Sequence, residues 1–230
     1  MQHRLTQRLI NNQVLEDEDR LALERLDPKA RYFAAREAVM AHGARPGGVQ
    51  WVEQGWAFRR RRLENGVSVV FNFVLPGELI DPAVLTGVPS DHDVVALNEV
   101  RTLEVPVAGL RAVMSRHPRV SEALLHGAVQ DGARLRDQIT HLGRSGALKR
   151  VAFFFASLAE RQATADPDGS GALGAIFGHD IIADATGLSR VHVSRTLKQL
   201  RAMGLIDLDG RRWRILDAAR LRELTLNATV

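Results

Sequence analysis

Residues 178–210 read GHDIIADATGLSRVHVSRTLKQLRAMGLIDLDG, and their apolar spacing divides them into two helical pieces. In the first, Ile181, Ile182 and Ala185 share an inward face, and Gly187 then interrupts the pattern. A glycine can enter the left-handed conformation that a tight inter-helix turn needs without the clash a Cβ would cause. Leu188 plugs the corner, and Ser189 is placed to cap the second helix by accepting from its unpaired first-turn N–H groups. There Val193, Leu197 and Leu200 recur at helical spacing, and small Ala183 sits where the two helices cross. A small residue, a glycine four later and a branched apolar residue six beyond that is helix-turn-helix spacing.

The other face of the second helix carries Arg190, His192, Ser194, Arg195 and Lys198. Its N-terminal end is the part that enters a major groove, where an arginine can fork onto a guanine edge, worth roughly 1–3 kcal/mol of discrimination. From 190 to 214 there are seven Lys or Arg (190, 195, 198, 201, 211, 212, 214) against Asp207 and Asp209, a local balance of +5, whereas the whole chain carries only +4. Positive charge is thus concentrated where phosphates would lie, which points to double-stranded DNA. Around Asp209-Gly210, residues 205–208 and 212–216 form a hairpin wing, and Asp217 caps a last helix to Leu224.

The 230 residues suffice for two domains, and 45% hydrophobic with 25% charged content is ordinary for a globular chain. With no cysteine, disulfides, thiolate metal sites and thiol sensing are excluded. The longest oily run, residues 151–158, is too short to span a bilayer, and no basic-then-apolar leader opens the sequence. No membrane association and a cytoplasmic location are the expectation.

Residues 1–42 are polar and helical in pattern, with Glu16-Asp17-Glu18-Asp19 marking a helix entry. From Arg45 onward, turn residues punctuate short β-rich runs (VQWVEQ, WAFRRRRL, VSVVFNFVL, VVALNEVRTLEV), the pattern of an antiparallel sandwich or roll. Asn65-Gly66 predicts a type I′ hairpin. Of the run Arg59 to Arg62, alternate members face opposite sides. A basic outer surface is favoured over an anion site, because unpaired buried arginines are costly.

A short helix follows, ending at Pro118, and then a long one over residues 119–142. Leu125, Ala128, Gly132, Leu135, Ile139 and Leu142 are spaced 3, 4, 3, 4, 3, an a/d seam fitted to a parallel homodimer. Asp131 and Arg136 are placed to pair across that dimer. Gly143, Ser145 and Gly146 mark a hinge, after which residues 147–162 form a helix with Phe153, Phe154 and Phe155 in the core, and residues 163–174 a loop.

The segments PGELID (76–81), HLGRSGALKRVA (141–152) and IIADATGLSRVHVSRTLKQLRAMGLI (181–206) resemble the bacterial Crp/Fnr transcription factors, and the resemblance extends along nearly the whole length. It implies an α+β fold: an N-terminal antiparallel β-roll of cyclic-nucleotide-binding type (1–118), a dimerisation helix (119–143) and a C-terminal winged helix-turn-helix (144–230). It also implies a homodimer reading a palindrome, with recognition helices roughly 34 Å apart, and RNA polymerase as a further partner. Ser189, Arg190 and Arg195 match positions that contact DNA in the family, and His179 a position that touches phosphate. Val191-His192 replaces the family's glutamate and small polar residue. Valine cannot accept from a cytosine amino group, so a thymine methyl becomes the expected contact. The candidate effector pocket is Glu78, Leu79 and His92. Glu78 matches the ribose-binding glutamate, but Ser90-Asp91-His92-Asp93 is acidic where an Arg-Ser/Thr pair would hold phosphate. Cyclic AMP is therefore not the expected effector, no cofactor is required, and haem ligation by His42, His92, His117 or His126 is set aside.

An enzyme is not expected. A metal-dependent β-roll needs clustered histidines, and residues 45–106 hold only His92. The reading from another class is an effector-binding protein-interaction module whose helix-turn-helix only packs.

Overall fold

The computed structural model describes residues 15–165, 173, 176–210 and 212–226. The chain forms two compact units: Met1–Arg61 with Phe73–Arg134, and Arg62–Asn72 with Leu135–Val230. These boundaries differ from the expected breaks at 118 and 143. The long helix contributes to both units, and the end of one hairpin belongs to the second.

The first unit begins with α1 (Asp17–Glu24), whose acidic opening is the expected helix entry: Glu16 and Asp19 form a reciprocal capping box. Antiparallel strands follow in two sheets. β1 (Lys29–Phe33), β7 (Val100–Pro106) and β3 (Gly48–Gln54) form one, in the order β1-β7-β3. β2 (Ala38–Met40), β6 (Asp93–Ala96), β4 (Ala57–Arg62) and β5 (Ser68–Val74) form the other, in the order β2-β6-β4-β5. Their inward residues, among them Val49, Trp51, Val52, Ala57, Val94 and Leu103, make one apolar core that Leu110, Val120 and Ala123 complete from the helices behind. Those helices are α2 (Val107–Arg116) and α3 (Pro118–Arg144). Pro118 opens α3 because its missing N–H would have no intrahelical partner there.

Two expectations for the hairpin are corrected. Gly66 has φ +81°, but Asn65 is not left-handed, so the turn is not type I′. Gly66 N–H donates to Leu63 C=O (2.9 Å) and Leu63 N–H to Val67 C=O (2.8 Å), a four-residue turn with a glycine bulge. Nor do all four arginines form a solvated outer face: Arg61 and Arg62 are exposed as expected, but Arg59 is not. Arg59 is buried, donating to the Ile80 and Leu79 carbonyls (3.1 and 2.8 Å) and to Asp131 (3.0 Å). Arg60 pairs with Asp93 (3.4 Å) and exposed Arg61 with Asp91 (2.5 Å). A buried arginine is tolerated here because its guanidinium is matched by carbonyls and a carboxylate. Asp131, expected to bind Arg136 of a second copy, is engaged within its own chain by Arg59 and Arg134.

The second unit is assembled around α4 (Ala147–Ala165). Packed against it are α5 (His179–Thr186), α6 (Arg190–Ala202) and α7 (Ala218–Leu226). The wing is β8 (Ile206–Asp209) paired antiparallel with β9 (Arg212–Ile215). Phe155 is fully buried and meets Phe154 and Trp213 edge-on at centroid distances of 5.1 and 5.3 Å. Phe154 meets Phe177 at 5.4 Å, and the Trp213 indole N–H donates to the Phe177 carbonyl (3.2 Å). Phe153, expected in the same core, is only half-buried and stacks on His141 at 4.1 Å. Asp217 caps α7 as expected, accepting from the Arg220 N–H (2.9 Å). The expected loop over 163–174 lies largely outside the described residues.

Because Phe155 joins the helix to the wing, Phe155→Ala is expected to destabilise the second unit by about 3–5 kcal/mol. Urea unfolding followed by Trp213 fluorescence measures it.

Candidate nucleic-acid interface

α5 and α6 are the two helices expected from the sequence, and α6 begins at Arg190 directly after its expected cap, Ser189. Ile181, Ile182, Ala183 and Ala185 are buried on α5, and Val193, Thr196, Leu197 and Leu200 on α6. Gly187 has φ +63°, the left-handed corner, and the Gly187 and Leu188 N–H groups both donate to Ala183 C=O. Two further carbonyls at the end of α5 face side-chain donors: Gln138 Nε2 is 3.3 Å from Ala185 O, and Arg150 Nη1 is 3.4 Å from Thr186 O. The end of the first helix is therefore held by α3 and α4 as well as by the turn.

Ser189 caps α6, its hydroxyl accepting from the His192 N–H (3.3 Å) and lying 3.0 Å from His192 Nδ1. These two residues thus set the start of α6 through each other. Arg190, Val191, His192, Arg195 and Lys198 are exposed, and Ser194 is half-buried. Arg190, Arg195 and Lys198 make no ion pair among the described residues, so their charges stay available at the surface. His179 opens α5 and is exposed.

Not every nearby cation is in this position. Arg201, at the end of α6, is held by Asp207 (3.0 Å), and Arg214 lies 4.0 Å from Asp209. The Leu208 N–H and Arg201 together hold the Asp207 carboxyl below the usual carboxylate range. The available charge is thus narrower than the local sum of +5, which treated all seven cations alike. Arg211 lies outside the described residues.

The candidate effector residues are engaged by the roll itself. Glu78 accepts from the Leu75 N–H (2.9 Å), Leu79 pairs with Trp51 across an isolated bridge, and its carbonyl accepts from Arg59. His92 is buried with Nδ1 2.7 Å from Asp91, whose carboxyl His92 and Arg61 hold below its ordinary value. His117 pairs with Asp19 (3.0 Å). Arg59 is the residue at this place that sequence reasoning misjudged. Its only signal was membership of a basic run whose alternate members had to point opposite ways. Among the described residues no three His, Cys, Asp or Glu side chains are placed to share a metal ion.

Along α3, Leu125 and Ile139 are 65% and 67% exposed, Ala128 is exposed, and Gly132, Leu135 and Leu142 are half-buried. Val129, outside the expected seam, is 57% exposed as well. No described helix is long and apolar enough to cross a membrane.

A winged helix-turn-helix joined in one chain to a β-roll of this topology defines a class of DNA-binding transcription regulator. Residues 149–224 match the Crp-like helix-turn-helix domain and residues 30–117 the cyclic nucleotide-binding domain. The nitrogen fixation regulation protein FixK of Rhizobium meliloti is 31% identical over 71% of this chain and 72% of its own. The transcriptional activator protein FnrL of Cereibacter sphaeroides is 26% identical over 84% and 79%. The structure of FixK2 from Bradyrhizobium japonicum superposes with TM-score 0.76 at 23% identity, covering 88% of this chain and 99% of that one. The chain belongs to the Crp/Fnr family: it is a transcriptional regulator with a helix-turn-helix DNA-binding domain, and its curated relatives are regulators, not enzymes.

Proposed function

We propose that this regulator reads a palindromic duplex site as a homodimer, using the exposed tip of α6, without cyclic AMP. The supporting observation is that Arg190, Arg195 and Lys198 share the exposed side of α6 and make no ion pair among the described residues, while neighbouring Arg201 is held by Asp207. Arg190 and Arg195 supply forked donors for guanine edges, Val191 an apolar contact for a thymine methyl, and Lys198 a phosphate contact. His179 and Ser194 add phosphate or base contacts from the flanks. The exposed leucine and isoleucine of α3 supply the apolar seam for the second copy, and the two-fold of that pair makes the site palindromic. A cytoplasmic location and contact with RNA polymerase follow from the same reading.

For the effector, self-engagement of Glu78, Arg59 and Asp91 and the acidic run at 90–93 argue against a bound cyclic phosphate. The packing-only alternative for the helix-turn-helix is disfavoured, because a purely packed helix has no need of three exposed cations on one side.

Selection from random duplex supplies the site for testing. Arg190→Ala and Arg195→Ala are each expected to cost about 1–3 kcal/mol on it and to relax preference at one base pair per half-site. Lys198→Ala is expected to weaken all sequences evenly and flatten the salt dependence by about one phosphate contact per subunit. Unchanged affinity in both arginine variants counts against the reading. Ile139→Asp is expected to shift sedimentation at micromolar concentration from dimer to monomer. Titration calorimetry with cyclic AMP is expected to give no heat of binding, and a saturable isotherm overturns that part.

A further inference from the structure

The second unit contains the start of β5, and two side chains hold it there. Among the described residues β5 is the edge strand of its sheet, so one row of its backbone groups has no strand partner there. Gln138 of α3 places Nε2 3.4 Å from Val70 O and, with the same nitrogen, 3.3 Å from Ala185 O. Two residues along β5, buried Asn72 accepts at Oδ1 from Nη1 of buried Arg161 on α4 (3.2 Å).

The chemistry at Gln138 leaves little latitude. Val70 is 1% exposed and Ala185 7% exposed, so neither carbonyl can turn freely to water, and an unpaired buried carbonyl costs about as much as a lost hydrogen bond. Both neighbours are acceptors, which orients the amide: flipping it would set an oxygen against two oxygens. A primary amide has two hydrogens on one nitrogen and can serve two acceptors in different directions. Ala185 is the last residue but one of α5, where carbonyls have no intrahelical donor, and Gly187 and the recognition helix come directly after.

We infer that Gln138 is a positioning residue for DNA reading: it ties β5 at Val70 to the C-terminal end of α5 and thereby fixes how α6 is presented. Arg161 and Asn72 keep β5 in register with that tie, and Arg150 holds the neighbouring Thr186 carbonyl from the hinge side, where its Nε also donates to Ser145 O (2.8 Å). From Asn72 the strand continues into Phe73 and Val74 of the first unit, so the strand pinned by Gln138 is covalently continuous with the roll.

For its DNA arm the inference rests on the proposed reading by α6, and the experiment separates the two. Gln138→Met keeps length and volume but removes both donors, and Gln138→Glu sets an acceptor against two carbonyls. In the full chain, hydrogen–deuterium exchange is expected to rise in peptides covering 181–193 and 62–72 in the order wild type, Gln138→Met, Gln138→Glu, with the roll peptides unchanged and the melting midpoint falling in the same order. Affinity for the selected duplex is expected to fall in the same order, by about 2- to 10-fold for Gln138→Met, with base preference unchanged. Met and Glu are of similar size, so a packing role does not produce that order. Unchanged exchange across 181–193 in both variants overturns the inference, as does a rise spread evenly over the chain. If the wild-type protein binds no duplex while Arg190→Ala exchanges like it, the DNA-reading proposal falls and the exchange series alone decides the role of Gln138.

Discussion

The DNA-binding unit depends on a single dry surface, the inward side of α4. Val151, Phe154, Phe155 and Leu158 lie on it, buried, and α5, α6, the wing and α7 are all set by contact with that one helix. Close-packed aromatic side chains transmit position because they have few alternative arrangements. The recognition helix is therefore located by two independent means: apolar packing of Val193, Leu197 and Leu200 fixes its roll about its axis, and hydrogen bonds at the end of α5 fix where it starts. The first is insensitive to direction and the second is directional, and together they leave the tip of α6 little freedom.

Charge is distributed on the same economy. On the roll, Arg59, Arg60 and Arg61 each meet an aspartate distant in sequence. On the DNA-binding unit, pairing is selective. Arg201 and Arg214 are drawn towards aspartates of the wing while the cations nearer the tip of α6 remain free of such partners among the described residues. Unpaired positive charge is thereby kept on the exposed side of α6, which favours oriented encounter with a polyanion.

Much of this was legible in the sequence, and the misses have a common cause. The helix-turn-helix, its glycine corner, the Ser189 cap, the wing and the strand-rich roll all follow from local patterns: apolar period, cap chemistry and turn residues. What local pattern does not carry is the partner. Asn65-Gly66 signals a tight turn correctly, but which turn depends on the alignment of β4 with β5, and the glycine bulge answered that. Arg59 reads as surface because nothing nearby in sequence neutralises it; its partners lie 20 and 72 residues away. Asp131 reads as a seam residue for the same reason. Gln138 drew no attention at all, since a lone glutamine on a helix has no signature until two carbonyls converge on it.

The buried Arg59 also constrains how such a chain can diverge. Its guanidinium satisfies two carbonyls of the turn after β5 and one carboxylate on α3 at once, so losing Asp131 alone leaves a buried cation without its counter-charge, and losing Arg59 alone leaves the Leu79 and Ile80 carbonyls without this donor while Asp131 keeps Arg134. A change at either position alone is therefore costly, and the two are expected to be exchanged jointly in related lineages. The swap most easily tolerated is one that trades the whole polar knot for apolar volume.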